Sequence, residues 1–424
     1  MINEKFLHFI WKFQLFEFNN LKSTQNHTVQ ILNKGVHNHN AGPDFLNAKI
    51  KIDKMIWCGD VEIHKMSSEW YSHKHHEDEN YNSVILHVVY QDDAKVERVG
   101  ATSLFCIELK DLIPEKYMTE YDTIYHSVSN LPCSYGIGKL DGFFIRSYFE
   151  RLLVERLEVK AAKVRQIFLA VNKDYQECFY RLLSYSLGLK INAEQMLNLA
   201  EEAPLLMLQK HRSNRFQIEA LLYGQSGLLE RKYTDIYPNK LKQEYRFYAE
   251  KYRLRPMASK NWKFFRLRPS SFPSLRISHL ADFVFKSESL FNKLFNFKNL
   301  KELLPLFNLT TSDYWKSHYV FDKTSKYQNK RMGKSTIDLV FINAILPFCF
   351  FYAKMKSDEP MSLRVLDAYQ ELKSEDNKII RLYKDAGLKV HSAKSSQALI
   401  HLHQNYCIPR NCLNCSVFNQ ILKT

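Results

Sequence analysis

Residues Ser83–Tyr90, SVILHVVY, form a nearly unbroken run of β-branched and apolar side chains. An apolar run of strand length without alternation indicates burial on both faces, as at the centre of a sheet covered by helices. That requirement points to an α/β unit. Two strands precede it, Phe45–Ile52 and Ile56–Lys65, with a turn between them, and Thr28–Leu32 and Thr102–Leu109 read as further strands. Over Asn3–Leu21, Phe6, Leu7, Ile10, Trp11, Phe13, Leu15 and Phe16 fall on a helical repeat. His87, inside the apolar run, is either a core histidine bonded to a neighbour or a partner of a site on the adjoining strand.

Side chains on a strand alternate between faces. In Ile56–Lys65 this places Asp60, Glu62 and His64 on one face, with Val61 and Ile63 on the other. Three ionisable groups backed by apolar ones suit a metal ion; the plainer reading is a strand with a solvated polar face. His37 and His39, in the turn-rich segment Asn33–Asn40, read as surface histidines. After the strand comes MSSEWYSHKHHEDENYN, with His73, His75, His76, Glu77 and Asp78. It lacks the i,i+4 histidines of a helical zinc site and the Cys/His spacing of a finger. It therefore reads as a loop at the mouth of the site, whose Trp70 and Tyr71 either stack on a base or close the core.

Pro43-Asp44 followed by Glu62-x-His64 resembles the PD-(D/E)XK nuclease motif. The resemblance implies a restriction-endonuclease-like mixed sheet in the order helix, three strands, helix, strand. It also implies that Asp44 and Glu62 hold Mg²⁺ or Mn²⁺ for phosphodiester hydrolysis on DNA or RNA. His64 stands where that superfamily has a lysine, and is expected to act as base or extra ligand; histidine can serve as a base near neutral pH. The alternative is a catalytically inactive nucleic-acid-binding or scaffold protein of the same fold. A second resemblance rests on GPDFLNAKI, GDVEIHKMSSEWYSHKH, NSVILHVVYQDD, RLRPSSFPSLR and SQALIHLHQNYCIPRNCLNC. Together these resemble an uncharacterised bacterial family, a domain of unknown function, over nearly the whole chain. That family brings no established activity.

The net charge of +15 favours a polyanionic partner such as nucleic acid; charge spread evenly for solubility is the competing account. Cys58, Cys106, Cys133, Cys178 and Cys349 are scattered in apolar or strand-like contexts, which fits reduced thiols in a cytoplasmic protein. The opening MINEKFLHFIWKF has neither the apolar core nor the cleavage site of a signal peptide. The longest apolar run, Leu339–Ala353, contains Asn343 and Pro347 and is short for a membrane span, so it reads as a buried helix.

Near Leu131-Pro132-Cys133 the pattern changes from strands to helices, dividing the chain into a nuclease-like α/β domain at 1–130 and a mainly helical domain at 131–424. Ile145, Phe149, Leu152, Leu153, Leu157, Ala161, Val164 and Phe168 form the apolar stripe of a long helix. In RLRPSSFPSLR, Pro269 and Pro273 fix an extended or turned backbone. Arg266, Arg268 and Arg276 then either clamp nucleic-acid phosphates or pair with carboxylates such as Asp282. Trp315 and Tyr319, interleaved with Lys316 and His318, could stack on bases or form helical core. Finally, Cys407, Cys412 and Cys415 have the close spacing of a zinc or iron–sulfur knuckle, and Cys133 is the expected fourth ligand, with His401 or His403 as substitutes.

Overall fold

The structure, a computed structural model, describes residues 2–98, 103–287 and 290–423. It divides into two compact units. The first comprises Met1–Gly142, Asp385–Leu388 and Leu402–Thr424, and the second Phe143–Lys384 and Lys389–His401.

The first unit is built on a mixed sheet. Its strands are β1 (Val29–Asn33), β2 (Val36–His37), β3 (Phe45–Ile52), β4 (Met55–Met66), β5 (Val84–Gln91) and β6 (Phe105–Glu108), in the order β1-β3-β4-β5-β6 with β2 added to β3. Pairing is antiparallel from β1 through β4 and parallel from β4 through β6. Every residue from Val84 to Val89 is buried, including His87, as the unbroken apolar run requires. The sixth strand falls within the expected Thr102–Leu109; Thr102 itself lies outside the described residues.

Helix α1 (Glu4–Phe13) opens with Asn3, whose side chain accepts from the Phe6 N–H, and buries Phe6, Leu7, Phe9, Ile10 and Trp11. It stops well before the expected Leu21. Gln14 takes a left-handed conformation (φ 50°) and returns its N–H to Ile10. The apolar Leu15, Phe16 and Leu21 are nevertheless buried, so their helical spacing reflected burial in an irregular segment.

The two domains expected from sequence differ from the units observed. The C-terminal segment, with its cysteines, belongs to the α/β unit. Its last helix, Ser416–Lys423, buries Val417, Phe418, Ile421 and Leu422. Phe418 lies 5.7 Å from the ring of Phe9, and Ile421 packs so closely on Gly136 that a Cβ there would sit 3.0 Å from it. An apolar face this complete finds its partner in space and not in sequence.

The second unit is mainly helical. Its long helix Gly142–Ala170 buries the expected stripe from Phe149 to Phe168. The apolar run forms part of a continuous helix over Lys334–Lys356, two-thirds buried in its most apolar window, with a π turn at Phe341–Ile345. Tyr314–Phe321 is not a helix. Asp313–Lys316 is a 3₁₀ turn leading into the short strand His318–Val320, and Trp315 is fully buried.

Candidate metal and catalytic site

The hairpin β3–β4 brings the two expected carboxylates together. Asp44 stands just before β3, and Glu62 lies in the middle of β4. The Asp44 N–H donates to Glu62 Oε2 at 3.0 Å, while the Ile63 N–H donates to Asp44 Oδ2 at 3.0 Å. The Asp44 main chain thus holds the Glu62 carboxyl, and the residue after Glu62 holds the Asp44 carboxylate. A third group arrives from α1: His8 Nε2 lies 3.1 Å from Asp44 Oδ2.

Asp60, expected on the same face, has a different task. Asn47 adopts a left-handed conformation (φ 58°) where the β3–β4 register shifts. Its N–H donates to Asp60 Oδ1 at 2.9 Å, and Ser83 Oγ donates to Asp60 Oδ2 at 2.5 Å. Asp60 therefore braces a bulge.

His64 and Glu62 are both buried, at 2% and 5% exposure, so β4 has no solvated polar face here. His64 Nδ1 is 2.8 Å from His87 Nε2, and its Nε2 is 3.1 Å from His73 Nδ1 and 3.5 Å from Glu62 Oε1. His75 Nε2 approaches the same Glu62 oxygen at 3.4 Å. The HxHH segment is a turn whose His73 is exposed and whose His75 is buried. A short helix, Glu69–Ser72, is followed by Lys74 in a left-handed conformation (φ 61°), and the histidines on either side of it approach one centre. His75 stacks on Tyr81 at 3.7 Å and meets the edge of Trp70, which is fully buried and closes the core. His76 pairs instead with Glu77 at 3.3 Å, on the exposed side.

The electrostatics divide this cluster. Burial, with the Asp44 charge added, pushes the Glu62 carboxyl up to about 9. Burial, then the neighbouring His87, His75 and His73, drives the His64 imidazole down to about 2; burial and His75 take His87 down to about 3, and burial lowers His75. Burial thus favours the neutral imidazoles, the form in which histidine ligates metals. His8 goes the other way: burial opposes its cation, but the hydrogen bond and charge of Asp44 outweigh that and raise it. The Asp44 and Glu62 oxygens fit a hard divalent cation, which would favour the ionised form of Glu62 that burial and the Asp44 charge otherwise disfavour.

A cleft of about 840 Å³ opens onto Asp44 and is lined also by Lys5, His8, Lys12, His37 and Arg410. His37 and His39 are therefore not isolated surface histidines. Their rings are 4.5 Å apart, His37 is 5.6 Å from His8, and burial followed by His39 and His8 takes His37 down to about 4. Sequence reasoning passed over His8, and nothing in its helical context distinguishes it.

The expected phosphate clamp is not one surface. Arg266 and Arg268 are exposed, but Arg276 is 3% exposed because Pro273 opens a helix, Pro273–Lys286, buried along most of its length. The Arg276 guanidinium lies 3.4 Å from Thr336 Oγ1. Asp282 is not the partner of these arginines; it accepts from Arg215 at 2.8 Å and Lys286 at 2.6 Å.

Cys133 is buried, and its thiol is pushed up by burial first and then by the nearby Cys407, Cys415 and Cys412. Cys412 is raised to about 11 by burial and Cys415. His401 is engaged elsewhere, 3.2 Å from Glu155.

Fold and site together define an α/β unit with a carboxylate–histidine centre on a mixed sheet, in a chain that continues into a helical unit. The chain belongs to the family described as Protein of unknown function (DUF2851), whose model matches residues 4–378. No curated protein matches it, and no solved structure does.

Proposed function

We propose that the chain is a metal-dependent nuclease whose α/β unit hydrolyses phosphodiesters of DNA or RNA. The observation that carries this reading is the pair of main-chain hydrogen bonds that hold the Asp44 and Glu62 carboxyls side by side, from Asp44 to Glu62 and from Ile63 to Asp44. The order α1, strands β1–β4, a short helix and the parallel β5 supports the reading, with one strand more than the helix, three strands, helix, strand that the resemblance implies. Asp44 and Glu62 would hold Mg²⁺ or Mn²⁺, which when bound supplies Lewis acidity and neutralises developing charge. His8, whose protonated form Asp44 favours, stands beside that carboxylate and orients it. Lys5, Lys12 and Arg410 give the cleft a basic lining that attracts a phosphate backbone. On the helical unit, the exposed Arg266 and Arg268 would offer phosphate contacts of their own, without Arg276.

A catalytically inactive nucleic-acid-binding or scaffold protein is the second reading, favoured by one observation: His64 lies closer to His87 and His73 than to Glu62. Cys133, Cys407, Cys412 and Cys415 would hold a structural Zn²⁺ or an iron–sulfur cluster. Cys178 and Cys349, each pushed up to about 12 by burial, suit a reducing, cytoplasmic setting.

The test is cleavage of labelled single- and double-stranded DNA and RNA with Mg²⁺ or Mn²⁺, using wild type, Asp44→Asn and Glu62→Gln. The expected result is cleavage by wild type, reduced at least ~100-fold in both variants, since ligand loss removes transition-state stabilisation of several kcal/mol. Salt-sensitive binding without cleavage, unchanged in both variants, would instead establish the inactive binder.

A further inference from the structure

Beside the carboxylate pair, four side chains converge from separate segments: Glu62 and His64 from β4, and His73 and His75 from the turn beyond it. The ligand nitrogens of the three histidines lie within 4.8 Å of one another. A tetrahedral ion with bonds of about 2.0–2.1 Å has ligand atoms ~3.3–3.4 Å apart along each edge. Three edges of such a figure are present: His64 Nε2 to His73 Nδ1 at 3.1 Å, His64 Nε2 to Glu62 Oε1 at 3.5 Å, and His75 Nε2 to Glu62 Oε1 at 3.4 Å. The geometry points to a divalent transition-metal site of zinc type, held by His64, His73 and His75, with Glu62 Oε1 at its edge beside His64 and His75.

A second observation is independent of these distances. His75 is 8% exposed, yet neither of its ring nitrogens has a hydrogen-bond partner among the described residues. Buried polar atoms without partners are costly, and Nε2 faces the carboxylate at a separation an intervening ion explains. The supporting contacts also fit. A metal-bound histidine donates its other N–H to a fixed acceptor, and His64 has His87 Nε2 at 2.8 Å from Nδ1.

Donor chemistry separates this site from the one proposed for hydrolysis. Imidazole nitrogens select zinc, iron, nickel or copper, whereas Mg²⁺ prefers oxygen. The two carboxylate oxygens of Glu62 face different surroundings, Oε2 toward the Asp44 N–H and Oε1 toward His64 and His75. Glu62 would therefore belong to both sites. The histidine site does not depend on the nuclease reading, and its test reads metal binding alone.

The experiment is titration of the full, tag-free, metal-stripped chain with Zn²⁺ and Co²⁺, following affinity by chelator competition and Co²⁺ by its visible d–d absorption. Cys412→Ser/Cys415→Ser serves as background, so that thiolate sites do not contribute. His73→Ala, His75→Ala and His76→Ala are compared in it. His73 is exposed, so its truncation leaves the core intact, and a matched melting curve checks this. The expected result is one Zn²⁺ or Co²⁺ per chain, unaffected by excess Mg²⁺, weakened at least ~100-fold by His73→Ala and His75→Ala and unchanged by His76→Ala. Equal binding by all three variants, or none by the parent, would overturn the site whether or not the protein cleaves nucleic acid.

Discussion

His64 Nδ1 and His87 Nε2 lie 2.8 Å apart on adjacent parallel strands, in a pair that the sheet buries completely on the His87 side. One ring must donate and the other accept. If His64 ligates through Nε2, its Nδ1 carries the proton and His87 is the acceptor.

That relationship makes His87 a positioning residue. His87→Leu removes the acceptor without touching the metal ligands, and zinc affinity at the histidine site should fall ~10–100-fold. Chelator competition on the folded variant checks it. Unchanged affinity would mean that the imidazole pair is only core packing.

The cysteine set yields a separate expectation. Cys412→Ser and Cys415→Ser should each remove one equivalent of bound zinc, or the visible absorption of an iron–sulfur cluster, from protein purified under nitrogen. Elemental analysis and the absorption spectrum decide between the two. Retention of metal in both variants would remove the proposed staple.

Gly59 lies in β4 next to β5. A Cβ there would meet Ser83 O at 2.4 Å and Ile85 Cγ2 at 2.5 Å, and the backbone carbonyl cannot rotate away. Gly59→Ala should cost about 1–3 kcal/mol, as overpacking does, and should weaken metal binding along with stability because the same strand carries Glu62 and His64. Urea unfolding monitored by circular dichroism measures the first effect.

In the helical unit His279 is buried, with Nε2 at 3.1 Å from Lys330 O. Burial, then the Arg276 charge, takes it down to about 3, with Asp282 opposing and Arg215 adding. Between that value and the ordinary ~6.5, the unfolded chain binds a proton that the native chain does not. Its contribution therefore favours folding above about pH 6.5 and is lost as pH falls toward 3, with a slope of at most ~1.4 kcal/mol per pH unit. His279→Gln, which keeps a donor for Lys330 O, should flatten the fall in stability between about pH 7 and about pH 5. Parallel slopes for wild type and variant would count against this assignment.

Local patterns carried the elements of this chain. The apolar run at Val84–Val89 read as a strand covered on both faces, and the likeness to the nuclease motif paired Asp44 with Glu62, which a single hairpin brings together because it joins neighbours in sequence. The stripe of Gly142–Ala170 was legible for the same reason, since helical periodicity is a short-range signal.

Convergence across segments was not legible. His8 reaches Asp44 only because α1 packs against β4. His73 and His75 reach Glu62 and His64 only because Lys74 turns left-handed inside the crossover that makes β5 parallel to β4. Arg276 looked like a phosphate ligand until Pro273 proved to start a buried helix. The C-terminal cysteines joined the α/β unit through the apolar face of the last helix. Sequence by itself determined which stretches become strands and helices and which carboxylates share a hairpin, because those follow from interactions a few residues long. Tertiary structure alone decided which histidines, arginines and cysteines share a site, because burial and backbone turns far apart in the chain set their distances.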